Sequence, residues 1–139
     1  MADAKKLARI HRVRTLQLGL VRADEMRAHE RVVTETALAQ RIGQLAAAVS
    51  PAPMDAGVGV SMAAAAYYRD RLNHSAAAAD ARVRTAESGV ARATDATRAA
   101  QRDQTAVEKL MERAKAAGVL KEMRALEDAP QPRKRHDPC

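Results

Sequence analysis

The chain has 139 residues, a length that suits at most one domain. Its aromatic content is only 1%, with no Trp and no Phe, whereas a compact globular core usually depends on large side chains. The composition therefore predicts an elongated helical protein, and the formal net charge of +7 permits nucleic acid, anionic lipid or an acidic protein as partner without selecting one.

The first predicted element is a helix over residues 3–49, with Asp3 as its N-cap and no proline before Pro51. Steps that alternate between four and three residues trace one stripe along this helix. Such a spacing, 3.5 residues on average, is typical of a helix that winds around a partner helix. The members of this first stripe are Leu7, His11, Arg14, Leu18, Val21, Glu25, Ala28, Val32, Glu35, Ala39, Ile42, Ala46 and Val49.

Residues 50–60 contain two prolines and two glycines and are predicted to form a turn. Ser61 is the candidate N-cap of a second helix over residues 61–127, which carries a more apolar stripe with the same spacing. This second stripe buries little area, because an alanine contributes far less than the roughly 1.5–3 kcal/mol of a buried leucine. Its members are Leu72, Ala76, Ala79, Val83, Ala86, Val90, Ala93, Thr97, Ala100, Gln104, Val107, Met111 and Ala114.

The predicted fold class is all-α: two long helices form an antiparallel coiled-coil hairpin within residues 1–128, because so short a turn makes neighbouring helices antiparallel. Residues 129–139 contain three prolines and a basic cluster and are predicted to be a disordered tail. Cys139 is the only cysteine, so we expect no internal disulfide and a reducing compartment. No segment approaches the ~20 apolar residues of a membrane-spanning helix.

Charge matching predicts one antiparallel register, in which the numbers of facing residues add up to about 109. Pairs of this kind are exposed and worth roughly 0–1 kcal/mol each, so they would set the register more than the stability. Thr97 and Gln104, the polar members of the second stripe, either fix the register too or face water at a frayed crossing. The predicted pairs are Arg14 with Asp95, Glu25 with Arg84, and Glu35 with His74.

In that register the first helix ends opposite about residue 107, and the second continues for about twenty residues, or 30 Å at 1.5 Å per residue. A shifted stripe of Val119, Met123 and Leu126 lies on this overhang. It predicts contact with another chain, with a fraying helix end as the alternative. The N-terminal residues 5–22 are basic and carry more apolar side chains than one partner helix can cover.

The sequence contains no recognisable catalytic, cofactor-binding or metal-binding motif. It has no phosphate-binding glycine loop, no H-E-x-x-H and no Cys/His cluster with zinc spacing, so we expect no enzyme and no cofactor. Basic residues are mixed with acidic ones and no aromatic residues are spaced to stack on bases, which argues against nucleic acid. The basic amphipathic N-terminal stretch is compatible with peripheral membrane attachment.

Two segments, together with the length and the two-helix layout, carry a family resemblance. They are Lys5-Lys6-Leu7-Ala8-Arg9-Ile10 and Val107-Glu108-Lys109-Leu110-Met111-Glu112-Arg113. In these features the whole chain resembles the FliJ family of flagellar type III export proteins and its YscO-type counterparts in injectisomes. Family members are similar in fold to the coiled coil of the rotary ATPase gamma subunit.

The resemblance implies a non-enzymatic central stalk that binds and stimulates the hexameric export ATPase and contacts the export gate protein and export chaperones. It also implies a cytoplasmic location, peripheral to the inner membrane at the flagellar base. The alternative is a structural coiled-coil adaptor or self-associating rod, which would form a stable homodimer, whereas a stalk would be largely monomeric. The residues expected at the ATPase interface are Arg9, Arg12, Arg113, Val119, Met123 and Leu126.

Overall fold

The structure is a computed structural model that describes residues 2–49 and 59–130. This part of the chain is all-α, with two helices, α1 (Ala2–Ala48) and α2 (Gly59–Glu127), that pack against each other. Both consist mainly of good helix formers, and neither contains a proline. Because α1 begins at Ala2, Asp3 lies in its first turn and not at the predicted N-cap position, and a carboxylate there interacts favourably with the helix dipole.

The helix bounds correct two details of the predicted connection. Because α2 begins at Gly59, Ser61 lies inside the helix and not at its N-cap, and the predicted turn loses its last two residues. The rest of that turn, residues 50–58, lies outside the described residues. So do residues 131–139 of the predicted tail, including Cys139.

The chain divides into two compact units, each containing a segment of α1 and a segment of α2. The terminal unit comprises Met1–Leu16 and Gln101–Cys139, and the central unit comprises Gln17–Ala100.

In the terminal unit the two helical segments run antiparallel, because contacts farther along α1 meet residues earlier in α2. The numbers of each contacting pair add up to between 117 and 119. This register sets Leu7 level with Met111, and both line a groove together with Ala4, Ala114 and Lys115. The contacts are His11 Nε2 at 3.2 Å from Glu108 Oε1, Arg14 donating to Asp103 at 3.1 Å, and Gln104 donating to Thr15 at 3.1 Å.

In the central unit the segments are also antiparallel. The Arg82 guanidinium donates to Glu35 at 3.2 Å, and the Thr94 hydroxyl donates to Glu25 at 3.1 Å, so these numbers add up to 117 and 119. This register sets Val49 level with about residue 69. The described side chains of residues 62–68 precede that level, and all of them are exposed.

The two predicted stripes are the least exposed sides of their helices. All thirteen members of the first stripe are buried or half-buried, and Ala114 is the one exposed member of the second. Among the described side chains, full burial is limited to Leu18, Ala79, Thr97 and Val107. The core is therefore a strip about one side chain wide, and every large residue in it carries a substantial share of the stability.

Leu18→Ala should lower the free energy of unfolding by about 2–3 kcal/mol, near the lower end of the range for buried leucines, because a two-helix contact can partly close the void. Leu18 is 4% exposed, whereas Leu16, two residues earlier, is 70% exposed. Leu16→Ala is the matched control and should change the stability by less than about 0.5 kcal/mol. Urea unfolding followed by circular dichroism at 222 nm measures both, and equal losses would contradict the described core.

Candidate interaction surfaces

Two of the three predicted charge pairs belong to the central unit, and both are wrong. Glu25 accepts a hydrogen bond from Thr94, not from Arg84. Glu35 pairs with Arg82, eight residues along α2 from the predicted His74. His74 instead lies on its own helix beside Asp70, with Nδ1 3.6 Å from the carboxylate.

The third predicted pair, Arg14 with Asp95, is replaced by two others. In the terminal unit Arg14 Nη1 lies 3.1 Å from Asp103 Oδ2. In the central unit Asp95 lies 4.0 Å from Arg98, one turn along the same helix. The predicted register of about 109 is thus shifted by nine residues from the 117–119 observed in each unit.

The reason for the shift is the spacing of the stripes. Because both follow the same four-three alternation, their members face each other when the residue numbers add up to 118, or to a value one heptad away. At 109 no member of the first stripe faces a member of the second. Leu18, for example, would then face the exposed Ala91 instead of the half-buried Ala100. Apolar burial outweighs exposed ion pairs worth roughly 0–1 kcal/mol.

A polar cluster of Glu25, Thr94 and Thr97 lies between α1 and α2 in the central unit. Hydrogen bonding from Thr97, and then from Thr94, holds the pKa of the Glu25 carboxyl below its ordinary value. Thr97 is 7% exposed, and its hydroxyl donates to the Ala93 carbonyl of its own helix at 3.1 Å. A buried Thr97 excludes the frayed crossing at this position and favours a role in setting the register.

Gln104 has a comparable role in the terminal unit. It is half-buried, and its side-chain amide donates to the Thr15 hydroxyl. That hydroxyl in turn donates to the His11 carbonyl at 2.9 Å. Gln104 therefore binds α1 directly. Thr97, the other polar member of the second stripe, lies in the same cluster as Thr94, which donates to Glu25 of α1.

A groove of about 300 Å³ lies beside the Glu35–Arg82 pair in the central unit. Its lining includes small residues such as Ala28, Ala86 and Gly89. It also includes three guanidinium groups and one carboxylate, a set of charges that can attract an anion.

Among residues 3–49 and 62–130, no three side chains of His, Cys, Asp or Glu are grouped so that they could hold a metal ion. Neither α1 nor α2 contains a stretch long and apolar enough to cross a membrane.

The end of α2 extends beyond α1 in the terminal unit. The register sets Ala2 level with about residue 116, so residues 117–127 continue past α1 for about 16 Å. This overhang is shorter than the predicted twenty residues and 30 Å because of the shifted register. Every described residue from 112 onwards is exposed. Val119, Met123 and Leu126 recur at helical spacing and are between 53% and 76% exposed.

The six residues predicted at the ATPase interface all belong to the terminal unit, but they lie on two helices. Arg113, Val119, Met123 and Leu126 lie on the last turns of α2, and Arg9 and Arg12 lie on α1, level with about residues 109 and 106.

Arg9 and Arg12 belong instead to a second exposed surface, the outer face of α1. Sequence reasoning noted its residues but not that they share one face, although their helical spacing contains that information. At 100° per residue they fall within an arc of roughly 160°, directed away from the first stripe. Every one of them is exposed: Lys5, Lys6, Arg9, Ile10, Arg12, Val13 and Leu16.

Comparison of the chain with models of protein families, with curated proteins and with solved structures gave no match. The resemblance to the FliJ family accordingly remains a prediction from length, layout and the two segments quoted above.

The observed register can be tested with engineered cysteines in a Cys139→Ser background. Ala39→Cys with Ala79→Cys should form a disulfide, because the two positions are level and Ala79 is fully buried. Ala39→Cys with Asp70→Cys corresponds to the register predicted from charges and should not, because position 70 lies about 13 Å farther along α2. Mass spectrometry of oxidised protein reads out both, and cross-linking of only the second pair would refute the register.

The polar cluster predicts an acid-dependent loss of stability. A carboxyl whose pKa is lower in the folded than in the unfolded chain stabilises the fold above the unfolded value, and this contribution disappears as the pH falls through the folded pKa. Thr97→Val keeps the side-chain shape but removes the largest cause, so the pKa of Glu25 should rise toward its ordinary value in an NMR titration.

The control for this experiment is Thr85→Val, because Thr85 is an exposed α2 threonine whose hydroxyl donates to its own helix. It should leave the titration of Glu25 unchanged. A Glu25 titration that is equally unaffected by Thr97→Val would show that the buried hydroxyl does not stabilise the carboxylate.

Proposed function

We propose that this chain is a non-enzymatic central-stalk component of a bacterial flagellar type III export apparatus, with a role like that of the FliJ family. In this role it binds the hexameric export ATPase and stimulates hydrolysis, and it helps to couple the ATPase to the export gate protein and the export chaperones. Its location would be cytoplasmic and peripheral to the inner membrane.

The proposal includes the finer architecture, an antiparallel coiled-coil hairpin closed by a turn within residues 50–58, with a disordered basic tail. Its support is the shared four-three alternation of both stripes, together with the antiparallel contacts within each unit. A stalk of this kind requires a pair of helices with a narrow common core and long exposed sides.

The observation that carries the functional proposal is the uncovered end of α2. A stalk that enters a ring of subunits needs an end that its own chain leaves free, and this end must offer apolar area to the ring. Val119, Met123 and Leu126 form such a stripe at i, i+4 and i+7, and the register leaves no α1 residue level with them. Arg113 lies just before the overhang, where its cation can bind an acidic group of the partner.

Charge on the overhang supports a protein as partner. Lys121 and Arg124 alternate with Glu122 and Glu127, so this surface has no net charge of one sign. A mixed surface of this kind obtains specificity from complementary placement of charges around an apolar centre. It suits a defined protein surface better than a polyanion.

The alternative remains a structural coiled-coil adaptor or self-associating rod. Large apolar side chains outside the core favour it, among them Leu20, Met26 and Val33, which are all at least 66% exposed. An adaptor would bury them in a stable homodimer, whereas a stalk would remain largely monomeric until it meets the ring.

Replacement of Val119, Met123 and Leu126 by Ser should abolish stimulation of the export ATPase of the same organism. The wild-type chain at equimolar amounts should raise the hydrolysis rate several-fold. The triple variant should stay folded, because these side chains are all more than half exposed and lie beyond the level of Ala2, where α1 begins. Hydrolysis measured with and without each chain, alongside circular dichroism spectra, provides the test.

The matched control replaces three exposed apolar residues of the central unit, Val33, Leu38 and Leu45, by Ser. This variant should stimulate hydrolysis as the wild type does. If the wild-type chain neither changes the rate nor co-elutes with the ATPase, the stalk proposal is wrong. A homodimer on a sizing column that the control variant disrupts would then favour the adaptor.

A further inference from the structure

The outer face of α1 in the terminal unit combines cations with large apolar side chains. Four cations lie on it, from Lys5, Lys6, Arg9 and Arg12, and all four are exposed. Between them lie three apolar residues with exposures of 45% to 70%, Ile10, Val13 and Leu16. The cations and the apolar residues are interleaved on this one face, and the opposite side of the same helix, the first stripe, packs against α2.

No carboxylate neutralises this face along most of its length. The sequence from Ala4 to Leu16 contains no Asp or Glu, and Asp3 lies 4.0 Å from Lys6 at the very start of the helix, where both side chains are largely exposed. The α2 carboxylates that contact this part of α1 are Asp103 and Glu108, and they bind Arg14 and His11 of the first stripe. The cations of the outer face are therefore exposed, and among the residues that the structure describes no α2 carboxylate forms an ion pair with them.

The apolar side chains indicate which anionic partner this face binds: a nucleic acid, an acidic protein or a lipid surface. A nucleic acid would take the cations but would leave Ile10, Val13 and Leu16 in water. An acidic protein would need a groove shaped to accept three apolar residues between four charges. A lipid surface satisfies both requirements, because acyl chains accept apolar residues at any spacing and headgroup phosphates lie directly above them.

We infer that the outer face of α1, formed by Lys5, Lys6, Arg9 and Arg12 with Ile10, Val13 and Leu16, docks on an anionic lipid surface. The apolar residues enter the boundary between headgroups and acyl chains. The long basic side chains extend from the same face to the headgroup phosphates, and guanidinium groups can bind two phosphate oxygens at once.

This inference deepens one part of the proposed function, the location at the membrane, by naming the face that makes the contact, and it does not rest on the stalk role. The overhang of α2 that carries the stalk proposal consists of other residues, so one surface can fail its test while the other passes. The two experiments also have different readouts, since the first follows hydrolysis and the second follows binding to vesicles without any protein partner.

The first test measures binding of the full chain to vesicles of phosphatidylcholine with and without phosphatidylglycerol. Binding should require the anionic lipid and weaken as salt is raised. Changing Lys5, Lys6, Arg9 and Arg12 together to Gln should lower the affinity roughly 100- to 1,000-fold. The matched control removes the same charge elsewhere, with Arg31, Arg41, Arg92 and Arg102 changed to Gln, and should lower it less than about fivefold. All four control residues are exposed.

The second test locates the contact and needs no charge change. Because the chain contains no Trp, a single introduced Trp is its only reporter of that kind. Leu16→Trp on the outer face should show a blue shift of its emission on anionic vesicles. Val33→Trp in the central unit should not, although Val33 and Leu16 are equally exposed at 70%.

Three results would overturn the inference. The first is absence of binding to anionic vesicles, and the second is an equal loss of affinity in the two charge variants, which would mean attraction by overall charge. The third is binding without a blue shift of the Leu16→Trp emission, which would mean that the apolar side chains stay in water and that the face fits an acidic protein better.

Discussion

The structure depends on the register between the first stripe, on α1, and the second stripe, on α2, because both stripes are narrow. Burial among the described residues is confined to the line along which α1 and α2 meet, and many of its members are alanine. In the observed register Ile42 is level with Ala76, Val32 with Ala86, and Leu18 with Ala100. At these levels a large side chain of α1 meets a small one of α2, and Ala79, level with Ala39, is fully buried. Any slip by one or two residues would take both stripes out of contact at every level.

This constraint explains which parts of the structure the sequence predicts. Periodicity depends on one helix at a time, so it correctly identified which side of each helix is covered, down to polar members such as His11 and Glu35. Helix bounds follow from proline, glycine and propensity and were also close. Register depends on two helices together, and charge matching is a weak guide to it because exposed charges find partners in several registers. Arg14 and Glu35 each found a different partner within the same helix pair.

The sequence nevertheless limits the register to a few values. The two stripes face each other only when the numbers of facing residues add up to 118 or to a sum that differs from 118 by a multiple of seven. What separates neighbouring heptads is tertiary: whether Thr94 reaches Glu25, and whether Gln104 reaches Thr15. The first of these hydrogen bonds is partly buried, and such groups cost free energy when they are left without a partner. The length of the α2 overhang follows from the register, and for that reason the sequence overestimated it.

The terminal unit leaves two surfaces uncovered, and their chemistry differs. The overhang of α2 has an apolar stripe with charges of both signs around it, so it can discriminate between partners by the placement of each charge. The charged residues on the outer face of α1 are all cations, so this face responds to the density of negative charge and not to its arrangement. A protein interface selects for the first pattern, and a fluid lipid surface, whose charges rearrange to meet the helix, is sufficient for the second. Because α2 covers only the first stripe of α1, one short helical segment can hold the fold together and still present the opposite face to a membrane.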